Sequence, residues 1–372
     1  MKCFAALVVS AAVLVSLAVV SASSPGRTAD LSAYWTATEG LGPYRTRAAA
    51  LYLPSPTCRI MLYGGAGPNG VATGETFLYE PLADDWVELP LQKGTTRPPA
   101  VSQAGLAWDA DQKLAVLFGG FGSTALSNVS LFNPSTLKWS AVDFRRCSAS
   151  TCPGARYSHA QVWSHELKAT LVFGGVNSST AAYTVYNDLW KLRASPAPKG
   201  GLTWTWSRLA PKPDPNGHGY PQARFNHGMA EIPYPPDRHK LLIYGGLYRT
   251  QSSSSTSLAD TWLYDPVLNQ FEYVDTVPPT LRAGFALGYS PSLGMIIANG
   301  GRGSDASTSE TWAFDLDTRT WVQIVTESIP PTRSNHDLAS DPSGSCGDFN
   351  AYIVEAPVNY GGPDFTWFLR MP

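Results

Sequence analysis

Charge is what this chain has least of. Asp, Glu, Lys and Arg make up only 15% of 372 residues, and the net charge is -2. Nucleic-acid binding needs a clustered basic surface, and this composition provides none. No Gly-x-Ser-x-Gly elbow, His-Glu-x-x-His helix or Gly-rich phosphate loop occurs, so the familiar hydrolase, zinc-protease and nucleotide-binding signatures are missing. With those signatures missing, no cofactor and no metal is expected.

Gly (33), Pro (30) and Trp (12) are plentiful, and 44% of residues are hydrophobic. Many short strands joined by tight turns give this profile. The N-terminus differs from the rest. Lys2 precedes an apolar and small-residue run from Phe4 to Val20, followed by Ser21-Ala22-Ser23-Ser24. This reads as a secretory signal peptide over 1–23, leaving no membrane span after cleavage. The rival reading is an anchor of about 17 residues, the lower limit for a span. Cleavage would leave Cys58, Cys147, Cys152 and Cys346, an even count that suggests two disulfides in a secreted or secretory-lumen protein.

A two-part phrase recurs along the chain. Leu62-Tyr63-Gly64-Gly65 precedes Glu75-Thr76-Phe77, and Leu117-Phe118-Gly119-Gly120 precedes Asn128-Val129-Ser130. Val172-Phe173-Gly174-Gly175 precedes Asp188-Leu189-Trp190, Ile243-Tyr244-Gly245-Gly246 precedes Asp260-Thr261-Trp262, and Ala298-Asn299-Gly300-Gly301 precedes Glu310-Thr311-Trp312. The leading glycines step by 55, 55, 71 and 55 residues. A fixed period near 50 residues signals a repeat architecture. An apolar run, a diglycine, an acid-Thr-Trp phrase and a downstream Trp together resemble the kelch repeat, over nearly all of the mature chain.

The resemblance implies an all-β fold: a six-bladed kelch β-propeller of four-stranded antiparallel blades, as one domain over 27–372. The blades fall near 45–90, 98–143, 155–208, 223–275, 281–325 and 332–372. In each, strand b ends in the diglycine, strand c carries the Thr-Trp phrase, and strand d carries Trp86, Trp139, Trp206, Phe271 or Trp321. The sixth repeat has Glu355-Ala356 at the diglycine position and lacks a strand d after Thr366-Trp367. Residues 33–37, including Trp35, are expected to supply that strand and close the ring, removing exposed edges. On this map the a–b loops carry Cys58 and Cys346 in adjoining blades, so a Cys58–Cys346 bridge is expected. Cys147–Cys152 should clip the loop between blades two and three. The long segments 210–222 and 247–259 are placed on the b–c/d–a loop face.

Strand a opens with Arg47, Arg156, Arg224, Arg282 or Arg333, with Val101 in blade two. An arginine ring at the channel mouth would suit an anionic ligand. The structural reading is stronger. Blade two lacks both the Arg and the acid (Asn128), as an Arg–carboxylate pair inside each blade would require. His159, His227 and His336 follow their Arg by three residues, a feature of the kelch repeat itself, and would surround a channel too wide for one zinc ion. His165, His218 and His239 follow no pattern. Galactose oxidase is similar in its propeller part, but its copper site has no counterpart positions here. Sequons stand at Asn128 and Asn177.

The expected function is a secreted or vesicle-lumen module that binds a protein or glycan on the b–c/d–a face. Its contact residues would be Arg224, Arg282, Arg333, Tyr220, Phe225 and Tyr248. The alternative is a kelch-type enzyme, resembling a sialate mutarotase or an oxidase, with His227, His336 and Glu355 as acid–base candidates at the channel mouth.

Overall fold

Short apolar runs ended by glycine or turn residues leave each segment just long enough for one strand, and four such strands make one repeat. A computed structural model describes residues 34–81, 83–144, 147–178, 183–249, 254–280, 282–291, 293–303, 306–325, 330–340, 352–354 and 365–370. The expected signal peptide, Glu355 and Cys346 lie outside these residues.

The chain opens with β1 (Tyr34–Leu41). Blade one follows as β2 (Ala49–Leu53), β3 (Arg59–Tyr63), β4 (Thr76–Glu80) and β5 (Asp85–Glu88). Blade two holds β6 (Gly105–Asp109), β7 (Leu114–Phe118), β8 (Val129–Asn133) and β9 (Lys138–Val142). Blade three holds β10 (Ala160–Ser164), β11 (Ala169–Phe173), β14 (Leu189–Pro196) and β15 (Leu202–Leu209); a small hairpin, β12 (Val176–Asn177) and β13 (Thr184–Val185), rises from its b–c loop. Blade four repeats that plan. Its strands are β16 (Gly228–Glu231), β17 (Leu241–Tyr244), β20 (Thr261–Asp265) and β21 (Gln270–Val274), with the hairpin β18 (Leu247–Tyr248) and β19 (Thr256–Ser257). Blade five is β22 (Ala286–Ser290), β23 (Met295–Asn299), β24 (Thr311–Asp315) and β25 (Thr320–Ile324). All pairings within these sheets are antiparallel.

Five blades are built whole from consecutive repeats, not six. The remaining sheet takes β26 (Asp337–Ala339), β27 (Tyr352–Val354) and β28 (Phe365–Arg370) from one end of the chain and β1 from the other, with Tyr34 opposite Arg370.

The core is divided into wedges, each shared by two adjacent sheets. One wedge joins blades two and three through Phe118, Trp190 and Trp206. Another joins blades four and five through Tyr244, Phe314 and Trp321. The two-ended sheet is held the same way, to blade one by Tyr79 and Phe368 and to blade five by Trp35, Ile324 and Leu369. Polar bonds lock the wedges. Trp139 Nε1 donates to Thr76 Oγ1 of the preceding blade at 2.9 Å, and Trp321 does the same to Thr261. Trp86 donates to Thr366, and Trp35 donates to Thr311 at 3.0 Å. Trp35 thus occupies in its sheet the place that a strand-d Trp occupies in the others.

The diglycine supplies the backbone side of the same joint. Gly119 and Gly120 both have positive φ (67° and 98°), and the Gly120 N–H donates to the Arg156 carbonyl of the next blade at 2.9 Å. A Cβ on Gly119 would stand 2.5 Å from that carbonyl oxygen, so only glycine allows the approach.

Candidate functional site

The strand-a arginines settle inside the blades. Arg156 is fully buried. It donates to Asp188 through both terminal nitrogens (2.6 and 3.0 Å) and to the Gly154 and Gly174 carbonyls. Arg224 repeats the arrangement with Asp260 (2.8 and 2.6 Å), Gln222 and Gly245. Arg282 pairs with Glu310 at 2.5 Å. Each acid also accepts from the indole two residues on: Trp190 to Asp188 (2.7 Å), Trp262 to Asp260 (2.6 Å) and Trp312 to Glu310 (3.0 Å). This double duty explains the acid-x-Trp spacing. Burial works to raise the Asp188 carboxyl, but the hydrogen bonds and charge of Arg156, with Trp190, outweigh it and hold the group below the usual range.

The expected ligand role of Arg224 and Arg282 is therefore corrected: their side chains are sealed in the blade and their donors are spent on its own acid and carbonyls. Arg333 is likewise buried, donating to Pro331, while Asp364, the acid nearest its expected partner position, lies outside the described residues. Blade one corrects the register. Arg45, not Arg47, meets Glu75 at 3.2 Å.

Arg47 belongs to a different device. Arg47, Gln103, Ser158, Asn226, Gly284 and Asn335 all have φ between 54° and 62°. Each N–H donates to the carbonyl of its counterpart one sheet back: Gln103 to Arg47 (2.7 Å), Ser158 to Gln103, Asn226 to Ser158, Gly284 to Asn226, and Asn335 to Gly284. Arg47 N–H donates to Asn335 at 3.0 Å, closing a hydrogen-bonded collar around the axis. The collar lies where the d–a loops enter strand a.

Below it runs a central cavity of about 410 Å³, lined by the inner strands of every sheet. No collar residue lines it; its far end is formed by a–b loop residues such as Pro54, Ala110, His165, Pro233 and Ser340. The cavity thus extends from just beneath the collar to the a–b loops. His159 and His227 border it, and with His336 they are buried; among the described residues, neither ring nitrogen of His227 makes a hydrogen bond. Their carbons pack against the preceding blade's glycines: a Cβ on Gly174 would stand 2.8 Å from His227 Cε1. Burial, helped by the Arg156 charge, pushes His159 down to about 3. Burial and Arg224 or Arg333 push His227 and His336 well down too, so all three are neutral at neutral pH. Asp337, also on the cavity wall, is raised to about 6 by burial although it accepts from the Ala50 and Leu338 amides.

The loops separate as well. Segment 210–222 does not cross the channel face. Lys212 bridges Gln270 in parallel, Asp214 accepts from the Tyr273 amide at 3.1 Å, and His218 stacks on Tyr273 at 4.3 Å. The segment covers the outer edge of blade four, and Tyr220 stands at that rim, exposed, beside Phe271. Phe225 is buried, bridged to Leu247, which removes it as an anchor. Tyr248 is half-buried in β18. Beside it, Arg249 lies 4.6 Å over the ring of Tyr183, which also meets Phe225, so the hairpins of blades three and four form one raised feature.

Cys147 and Cys152 are joined, as their spacing predicts. Cys58 is disulfide-bonded, but its expected partner Cys346 is outside the described residues. Asn128 is exposed ahead of β8, and Asn177 sits in β12. Among the described residues, no helix is long and apolar enough to cross a membrane. A grouping that no repeat rule signals is His165, Glu231 and His239, gathered at the cavity's lower end.

Antiparallel four-stranded blades wedged by aromatics, with a buried Arg–acid–Trp set, define a β-propeller of the kind that serves as a rigid interaction scaffold. The chain belongs to the kelch-repeat family: the KLHDC2/KLHL20/DRC7 Kelch-repeats domain matches residues 146–343, more than half of its length.

Proposed function

We propose that this kelch propeller is a secreted or secretory-lumen interaction module that holds a protein partner, or a glycan carried on one, on its b–c/d–a face. The scaffold in this reading is a closed ring of six blades, with β1 completing the last. The observation that carries the face assignment is the pair of raised hairpins on blades three and four, tied by Arg249 over Tyr183. Loops held by a rigid scaffold are where binding concentrates, and Tyr and Arg are the side chains that dominate such contacts. Tyr248 and Arg249 are the central contacts of this face, and Tyr220 is a rim contact. A sugar on Asn128 would border the face at blade two, and one on Asn177 would cover the blade-three hairpin and shift the contact toward blade four. The Cys147–Cys152 bridge suits an oxidising compartment. An enzymatic reading draws less support: His227 and His336 are packed against neighbouring glycines, and the anchoring arginines are internal.

Site-specific photo-crosslinking tests the assignment. A crosslinker at Tyr248 should capture a discrete partner from the fluid that bathes the secreted chain. One at Val267, an exposed turn residue after β20, should capture none. Capture from Val267 alone would move the working surface to the opposite face, and no capture from either would sink the module reading.

A further inference from the structure

The a–b loops of blades three and four bring together three side chains separated by 66 and 8 positions: His165 after β10, Glu231 at the end of β16, and His239 before β17. One ligand atom from each lies within 4.8 Å of the other two. Glu231 is the hub, its side chain 9% exposed. Its Oε1 accepts from the His165 amide at 2.8 Å, its Oε2 meets His165 Nδ1, and His239 Nδ1 lies 3.4 Å from Oε1. The two imidazoles stack at 5.7 Å with 26° between planes.

Two features distinguish this from a chance surface cluster. Among the described residues, His239 Nδ1 is buried and makes no hydrogen bond, its contact with Glu231 Oε1 being 3.4 Å long. A buried polar atom normally has a hydrogen-bond partner, so this arrangement needs a reason. His239 is also held in place: it has a φ of 67°, and its amide donates to the Ile232 carbonyl at 2.6 Å. Its loop is pinned by Asp237, which joins Arg319 of blade five (2.5 and 2.7 Å) and Lys240 (3.0 Å). A rigid support of this kind is what a metal site requires around its ligands.

Two imidazoles and one carboxylate suit a borderline divalent ion such as zinc, with ligand bonds of about 2.0–2.2 Å and tetrahedral geometry. Such ligands stand about 3.3 Å apart around the ion, and the 3.4 Å between His239 Nδ1 and Glu231 Oε1 matches one such edge. The His165 side chain is half exposed and can turn to complete the set. His165 and Glu231 also line the central cavity.

We infer that His165, Glu231 and His239 bind one divalent ion of the zinc class, clamping the a–b loops of blades three and four and leaving a coordination position that faces the lower mouth of the channel. That position takes water or the carboxylate of a molecule entering the cavity.

The test uses the full mature chain stripped with chelator, titrated with Zn²⁺ by calorimetry and with Co²⁺ by visible absorption. One ion per chain is expected. His165→Ala and His239→Asn, the latter tolerant of positive φ, should each weaken binding by more than about 100-fold, since losing a ligand exceeds losing a ligand's support. His218→Ala should bind as the wild type does. A folded wild type that binds no zinc would overturn the inference, as would both variants binding unchanged. Should either variant unfold, the wild-type Co²⁺ spectrum decides: nitrogen–oxygen ligation with low coordination number supports the site, and a fully aqueous spectrum overturns it.

Discussion

Blade two and blade four carry out the same architectural task with different interiors. Blade four seals Arg224, Asp260 and Trp262 into a hydrogen-bonded set with no exposed guanidinium. Blade two has Val101 and Asn128 at the first two places, and Val101 packs, almost fully buried, into the wedge shared with blade one. Its carbonyl still accepts from the Gly65 amide at 2.8 Å, as Arg224's does from Gly175 at 2.8 Å. The backbone joint between blades therefore does not need the ion pair. The charged set is an internal filling whose members need one another more than the fold needs them.

That comparison can be broken at its strongest point. Arg224→Ala should cost about 3 kcal/mol in denaturant unfolding, because the buried guanidinium is lost and the partly buried Asp260 is left without its counter-charge. Arg224→Val with Asp260→Asn, the blade-two combination, should recover most of that loss, and a double variant as unstable as the single one would show that the ion pair holds the joint after all.

A second contrast concerns the residue after the collar. Blades three, four and the two-ended sheet place neutral His159, His227 and His336 there, whereas blades one and two have Ala48 and Ala104 and blade five has Phe285. A histidine whose folded pKa lies below its unfolded value of about 6.5 binds more protons when unfolded, so stability is present above that value and falls as the pH is lowered through it. Each histidine should withdraw about 1 kcal/mol between pH 7 and 5.5. Asp188 and Glu310, held low, act with the same sign but only below about pH 4. His165, with a raised pKa, acts in the opposite sense, and so does Asp337 between about pH 4 and 6. Unfolding curves of His159→Phe, the blade-five solution, should lose about 1 kcal/mol of the change between pH 7 and 5.5; an unchanged dependence would place the proton uptake elsewhere.

The smallest effect lies in the wedges. Trp139 donates to Thr76, while blade four has Phe271 at the strand-d position and no such donor. Trp139→Phe should cost about 1 kcal/mol, one ordinary hydrogen bond plus a small packing change. A loss near zero in thermal unfolding would make the Trp–Thr bonds incidental.

Features set by periodicity and composition are legible in the amino-acid sequence. The diglycine period marks strand b, and the joint absence at Val101 and Asn128 exposes the Arg–acid pair. Trp35 and the Thr366-Trp367 phrase point to a sheet made from both ends. Other features are misplaced for identifiable reasons. Arg45-Thr46-Arg47 offers two arginines two residues apart, and the sequence cannot say which one points into the blade. Segment 210–222 looks like a surface loop because it is rich in Pro and Gly, yet its backbone adds to the edge of blade four.

Periodicity carries the fold, its strands and the pairing of Arg with acid, and a separation of five residues carries the Cys147–Cys152 clip. Each of these needs one residue type at one spacing, so the pattern survives in the letters. The remaining features arise where segments distant along the chain meet in space. The collar is built from Arg47, Gln103, Ser158, Asn226, Gly284 and Asn335, which share a backbone conformation but no side chain common to all six, so their common task leaves no signature. His165, Glu231 and His239 meet because two loops of neighbouring blades converge at one end of the channel. Ring curvature sets that distance, and no local spacing encodes it.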